Sequence, residues 1–226
     1  MTYTCFGVSD VGLVRPNNED AWAVDAERGF FLVADGLGGH QGGEIASWET
    51  VDFLVAWLSG FSGGDEVIEE RQQQLIDGIT EANQLVYEKA QHAPALRGMG
   101  ATLCCLWFCG EKALLAHAGD SRTYRLREGR LEQLTRDHVV EGQAARLLTR
   151  AVGNRDELQP EVCCLDLAQG DTYLLCSDGL TDMVSARTIE AILNRPDPLQ
   201  ERIEQLVETA KRSGGSDNIT VVGVSL

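Results

Sequence analysis

At 226 residues the chain has the length of one domain, or at most two small ones, and it can bury a sizeable core. A net charge of −16 sets it against nucleic acid and anionic membrane surfaces, both of which would repel it. Hydrophobic residues make up 43%, yet no run approaches the roughly 18 apolar residues of a membrane span, and no basic stretch precedes an apolar one near Met1, so neither a membrane helix nor a secretory signal is expected.

The pattern of apolar residues predicts strands over Thr2–Ser9, Asp20–Asp25 and Gly29–Ala34, with turns at Pro16-Asn17 and Glu27-Arg28-Gly29. A helix is predicted from Gly42 to Ser59, with Ile45, Val51, Leu54, Val55 and Leu58 along one stripe. A loop, Gly60 to Asp65, leads to a second helix over Glu66–Gln91. Leu75, Ile79, Ala82 and Val86 line its apolar face, and Glu69, Glu70 and Arg71 take solvated positions. Four strands follow at short spacing, Ala101–Cys109, Lys112–Ala118, Arg122–Arg127 and Leu131–Leu134, which reads as an antiparallel meander. Glu161–Leu165 and Thr172–Cys176 are two further strands. Ala186–Asn194 and Leu199–Arg212 are helices separated by Pro196 and Pro198, and Ile219–Ser225 is a closing strand. Two longer helices after one group of strands and two shorter ones after another suit an α+β fold of two packed antiparallel sheets with helices outside. With no repeat, charge tract or linker between them, residues 1–226 read as a single domain. The seven cysteines lack a CxxC spacing and fall in apolar runs, as small strand residues do in a reducing cytoplasm.

Four aspartates stand in short motifs beside these strands: Asp35 in Ala34-Asp35-Gly36-Leu37-Gly38-Gly39-His40, Asp120 in Gly119-Asp120-Ser121-Arg122, Asp178 in Ser177-Asp178-Gly179, and Asp217 in Ser216-Asp217-Asn218. Carboxylates brought together at strand ends repel one another unless a cation neutralises them, and hard divalent cations take oxygen ligands. The economical reading is a carboxylate metal site, and such sites suit phosphoryl chemistry. Asp182 follows Asp178 by four residues, so a helix beginning at the Gly179 turn would place both carboxylates on one side. Arg15 offers a guanidinium able to hold two phosphate oxygens in parallel.

These residues also carry a resemblance. In order along nearly the whole chain stand Gly12-Leu13-Val14-Arg15-Pro16-Asn17-Asn18-Glu19-Asp20, the Asp35-to-Glu44 segment, Gly100-Ala101-Thr102, Gly119-Asp120-Ser121-Arg122, Leu134-Thr135-Arg136-Asp137-His138, Leu148-Thr149-Arg150-Ala151-Val152-Gly153, and the Asp178 and Asp217 motifs. The set resembles the metal-dependent protein serine/threonine phosphatases of the protein phosphatase 2C type in their short bacterial form. The resemblance implies the α-β-β-α sandwich. It also implies two Mn²⁺ or Mg²⁺ ions held by Asp35, the Gly36 carbonyl, Asp178 and Asp217, and a weaker third ion at Asp120 and Asp182. Arg15 would hold the substrate phosphate, and Glu19, Asp20 and Asn218 would support the site without binding metal directly. His40 is open between protonating the leaving serine oxygen and bonding within its glycine-rich turn. His138 reads as structural.

The implied activity is hydrolysis of phosphoserine and phosphothreonine in phosphorylated proteins by direct attack of water held between the two ions, opposing a bacterial Ser/Thr kinase. A regulatory phosphatase of the same superfamily, acting on anti-sigma-factor antagonists, fits the Arg15, Asp120 and Asp217 motifs less well. A catalytically silent phosphoprotein-binding module should have lost a metal aspartate, and none is missing. Bacterial relatives often carry a long flap between the Asp-His and Leu-Thr-Arg-Ala motifs. Here nine residues, Val139–Leu147, separate His138 from Leu148, so an open site with weak preference among phosphopeptides is expected.

Overall fold

The computed structural model describes residues 2–38, 41–61, 67–140 and 147–226. Its strands are β1 (Thr4–Asp10), β2 (Asp20–Asp25), β3 (Phe30–Leu37), β4 (Gly100–Ala101), β5 (Leu103–Cys109), β6 (Lys112–Ala118), β7 (Arg122–Arg127), β8 (Arg130–Gln133), β9 (Glu161–Asp166), β10 (Thr172–Cys176) and β11 (Ile219–Ser225). Its helices are α1 (Gln41–Ser59), α2 (Ile68–His92), α3 (Asp178–Thr181), α4 (Ala186–Leu193) and α5 (Leu199–Arg212). One sheet runs β1-β11-β10-β7-β8, the other β2-β3-β5-β6-β9 with β4 beside β3. The pairings within both are antiparallel.

The layers follow from the period-two alternation of strand side chains. Along β3, Phe30, Leu32 and Ala34 face a core shared with Leu54 and Leu58 of α1 and Leu75, Ile79 and Val86 of α2. Phe31 and Val33 face the opposite way, into the space between the sheets, where they join Cys104, Leu106, Leu115, Tyr173, Leu175, Val222 and Val224. Along β10 and β11, Leu174, Cys176, Ile219 and Val221 pack on Leu180, Ile189, Ile203, Leu206 and Val207 of α3, α4 and α5. Central strands are buried on both faces, which is why they read as unbroken apolar runs rather than alternating ones. The result is the expected α-β-β-α sandwich. Among the described residues, no helix is long and apolar enough to cross a membrane.

Two expectations are corrected. The four strands β5 to β8 are not one meander: β5 pairs β6 and β7 pairs β8, but the chain changes sheets at Gly119-Asp120-Ser121, and β9 takes the free edge of β6. Short spacing between strands reports proximity, and it does not say that successive strands share a sheet. Arg71 is not solvated but buried, with its guanidinium 5.1 Å from the centre of the Trp107 ring. The attraction between a cation and the ring face offsets part of the cost of leaving water.

Candidate metal and phosphate site

Register places the acidic motifs at one end of the sandwich. Asp20, opening β2, is paired with Asp35 near the end of β3. In the other sheet, Cys176 at the end of β10 is opposite both Val221, near the start of β11, and Arg122, at the start of β7. Asp178, Asp217 and Asp120 therefore emerge together, and the β5–β6 pairing of Leu103 with Ala118 brings the Asp120 corner to the end of β3. Arg15, Glu19, Asp35, Gly36, Leu37, Asp120, Leu148, Asp178, Asp217 and Asn218 line a cleft of about 180 Å³. Asp182 follows one turn beyond Asp178, its N–H donating to the Asp178 carbonyl at 2.8 Å, and stands outside that lining. His40 lies outside the described residues, as do residues 141–146 of the short segment before Leu148.

Burial is the first reason that the Asp35 carboxyl is pushed well above the ordinary carboxylate range, and the neighbouring charges of Asp20, Asp178, Asp217 and Asp120 push it further. Asp20 is pushed up to about 6, chiefly by burial and partly by Asp217, against hydrogen bonds that pull it down. Its Oδ2 accepts from Ser177 Oγ at 2.7 Å, while its buried Oδ1 has no hydrogen-bond partner among the described residues. Such a group costs about 1–3 kcal/mol unless something satisfies it. An all-oxygen donor set, an excess of negative charge and an orphaned carboxylate oxygen fit hard divalent cations. Gly36 fits the same picture. A Cβ there would run into the carbonyl oxygens of Gly43 and Glu19, so only glycine lets these three backbone segments meet.

Arg15 reaches over the cleft. Its Nη2 donates to Asp217 Oδ2 at 2.7 Å, which raises its already high pKa, and 48% of its side chain stays exposed. Its loop is held from below by Asn218. The Asn218 Oδ1 accepts the Glu19 N–H at 2.8 Å, and its Nδ2 donates to the carbonyls of Val11 and Asn17 at 3.0 and 2.9 Å. Glu19 also binds through its backbone, its carbonyl accepting from Gly36 N–H at 3.1 Å and Ser47 Oγ at 2.5 Å.

Two supports carry no mark in their own spacing. Thr102, between β4 and β5, accepts the Asp35 N–H on Oγ1 at 2.9 Å, donates its own N–H to the Asp35 carbonyl at 2.8 Å, and bonds Ser121 Oγ at 2.6 Å. Ser177 joins Asp20 to Thr220, whose N–H it accepts at 3.0 Å. The signal for Thr102 was its place in the Gly100-Ala101-Thr102 stretch, and for Ser177 its place beside Asp178.

Comparison with known proteins agrees with this geometry. The family described as Protein phosphatase 2C matches residues 15–220. The chain is 38% identical over 230 residues to serine/threonine protein phosphatase PstP of Mycobacterium tuberculosis, spanning 95% of this chain but only 43% of that protein. It is 35% identical over 239 residues to protein phosphatase PhpP of Streptococcus pneumoniae, covering 97% of this chain and 96% of the relative. A crystal structure of the catalytic domain of PstP in complex with two manganese ions superposes with a TM-score of 0.88 at 36% identity, covering 99% of this chain and 97% of that one.

Proposed function

The chain belongs to the protein phosphatase 2C family, and from that premise we propose that it is a metal-dependent phosphoprotein phosphatase acting on phosphoserine and phosphothreonine. The observation that carries the reading is the convergence of Asp35, Asp120, Asp178 and Asp217 with the Arg15 guanidinium on one cleft. Asp35, the Gly36 carbonyl, Asp178 and Asp217 would hold two Mn²⁺ or Mg²⁺ ions, and Asp120 with Asp182 a weaker third. When bound, the ions supply Lewis acidity, an acidified water for direct attack on phosphorus, and neutralisation of the carboxylate charge.

The chain's own residues do the rest. Arg15 binds and orients the substrate phosphate by charge-assisted hydrogen bonds. Asn218 and the Glu19 backbone fix the loop that carries it. Thr102 and Ser177 fix the corners bearing Asp35 and Asp20. His40 would either protonate the leaving serine oxygen or bond within its glycine-rich turn.

The three contiguous cores support reading residues 1–226 as one catalytic domain. Phosphorylated proteins are the substrates of such an enzyme. A Ser/Thr kinase of the same pathway would supply them in the cytoplasm, a placement that the free cysteines support.

The test is hydrolysis of p-nitrophenyl phosphate and a phosphothreonine peptide. Activity should require Mn²⁺ or Mg²⁺ and vanish in EDTA. Asp35→Asn, Asp178→Asn and Asp217→Asn should each lose most turnover while keeping the wild-type circular dichroism spectrum. Full activity of the three variants in chelator would sink the reading.

A further inference from the structure

Asp120 sits on a corner whose far side is tied down through Ser121, its Oγ 2.6 Å from Thr102 Oγ1 and its carbonyl accepting from Cys104 Sγ at 3.0 Å. Gly119, just before it, has φ +111°, and a side chain there would drive into Thr102, whose Cγ2 would stand 2.7 Å from the added carbon. Glycine is required, and glycine is the residue with most freedom to lose. The corner's near side, at Gly119, is held from His138. The backbone N–H of His138 donates to the Gly119 carbonyl at 2.9 Å, and its ring Nδ1 accepts the Gly119 N–H at 3.2 Å. One residue thus binds both polar groups of the residue preceding Asp120.

The ring is itself fixed. It stacks on His117 with centroids 4.5 Å apart and planes 10° from parallel. His117 Nε2 lies 3.0 Å from the Arg136 carbonyl, which assigns its proton to that nitrogen. At the outer edge, His138 Nε2 stands 3.3 Å from the Glu161 carboxylate and 3.2 Å from Arg150 Nη1. The His138 carbonyl accepts the Thr149 N–H at 2.8 Å, and the neighbouring Leu148 lines the cleft. His138 therefore touches both the Asp120 corner and the base of the wall beside it.

His117, His138 and Glu161 have the composition of a zinc site, with ligand atoms within 4.8 Å of one another. The geometry points elsewhere. An imidazole lone pair lies in the ring plane, so two stacked parallel rings aim theirs side by side rather than at one ion. The Gly119 N–H also occupies the Nδ1 lone pair of His138, which leaves Nε2 as the N–H of the neutral ring, a donor toward Glu161; Arg150 Nη1, itself only a donor, then makes no hydrogen bond to Nε2 and is paired with Glu161 at 3.9 Å. Binding a cation between these groups would break the hold on Gly119.

We propose that His138 is a positioning residue, whose ring Nδ1 fixes the Gly119–Asp120 corner in the orientation that the weaker third cation requires. The inference rests on the proposed metal-dependent function, and one of its readouts does not. Two variants separate the hydrogen bond from the bulk of the ring. His138→Asn puts an amide oxygen close to where Nδ1 stands and keeps an acceptor for Gly119. His138→Gln is longer and carries its amide toward the Nε2 position. The measurements are hydrogen exchange of the Gly119 amide in the metal-free protein, Mn²⁺ binding by calorimetry, and kcat and KM on a phosphothreonine peptide at saturating Mn²⁺.

In His138→Gln, Gly119 should exchange at least tenfold faster and the weakest Mn²⁺ site should lose at least tenfold in affinity, with the tighter sites and KM unchanged. His138→Asn should restore both. Wild-type exchange and Mn²⁺ binding in His138→Gln would overturn the proposal. So would equal damage in both variants, including unfolding of both, because that outcome assigns the role to ring packing. Zn²⁺ binding that His138→Gln and Glu161→Gln each abolish would overturn it in favour of a metal site. A protein inactive with every metal would fail the functional reading while leaving the Gly119 exchange result to decide this one.

Discussion

Arg15 shows how one side chain can be read from its contacts. Its guanidinium pairs with Asp217 at 2.7 Å while nearly half of the side chain stays exposed, so its position depends on the cleft and not on a packed core. Removing it should leave the fold intact and withdraw a contact made to the phosphate in both ground and transition states. Arg15→Ala should therefore raise KM for phosphopeptides with little change in kcat, at a cost of about 1.5–3 kcal/mol in transition-state stabilisation. Steady-state kinetics give the answer, and an unchanged KM would demote Arg15 to a surface residue. The cysteines make the converse case. Cys163 and Cys164 are exposed, whereas Cys104, Cys105 and Cys176 are buried, and burial pushes the Cys104 thiol up to about 12. None lines the cleft. Alkylation of the native protein, counted by mass spectrometry, should modify Cys163 and Cys164 first and leave hydrolysis largely intact. Stoichiometric inactivation by one adduct would point to thiol chemistry instead.

At the scale of elements, the site is built where strands stop. Thr102 interrupts what the sequence presents as a single run from Ala101 to Cys109, and the interruption has a purpose: its Oγ1 serves the Asp35 N–H and Ser121 at once. Thr102→Val keeps the shape and deletes the hydroxyl, leaving a backbone donor without its acceptor. The expected loss is about 1–3 kcal/mol by urea denaturation, with weakened Mn²⁺ binding measured separately. Wild-type stability together with wild-type Mn²⁺ affinity would show that water replaces the hydroxyl at no cost. The same pair of residues marks what was legible beforehand. Asp35, Asp178 and Asp217 could be found because each adjoins an apolar run and a turn-forming neighbour, a signal contained in a few consecutive residues. Thr102 and Ser177 act through partners 67 and 157 positions away, and no local pattern records that. The change of sheets at Gly119–Ser121 was hidden for a related reason, since the partners that separate the two strands, β9 for β6 and β10 for β7, lie far along the chain. Arg71 was misjudged because the ring that shelters it, Trp107, belongs to another element.

For the molecule as a whole, the two sheets hold together a cluster of like charges in a chain that already carries −16. Asp35 and Asp20 are both raised above the ordinary carboxylate range, first by burial. A carboxyl whose folded pKa lies above its unfolded value binds its proton more tightly in the folded chain. Its protonation favours the metal-free fold at low pH, and that contribution fades as pH rises from about 4, the unfolded value, through about 6 for Asp20. A divalent cation acts in the opposite sense, because it needs the carboxylates ionised and must displace those protons. The rise in Tm produced by Mn²⁺ should accordingly be small at pH 5 and large at pH 7.5. At a free concentration near 100 times Kd the stabilisation is about 2.7 kcal/mol, equivalent to roughly 5–10 °C for a domain of this size. Thermal unfolding with and without Mn²⁺ at the two pH values measures it. A shift equal at both pH values would mean that the cation binds away from the raised carboxylates. If Asp35→Asn removed the shift at pH 7.5, the binding would be placed at the strand ends where the sequence first drew attention to them.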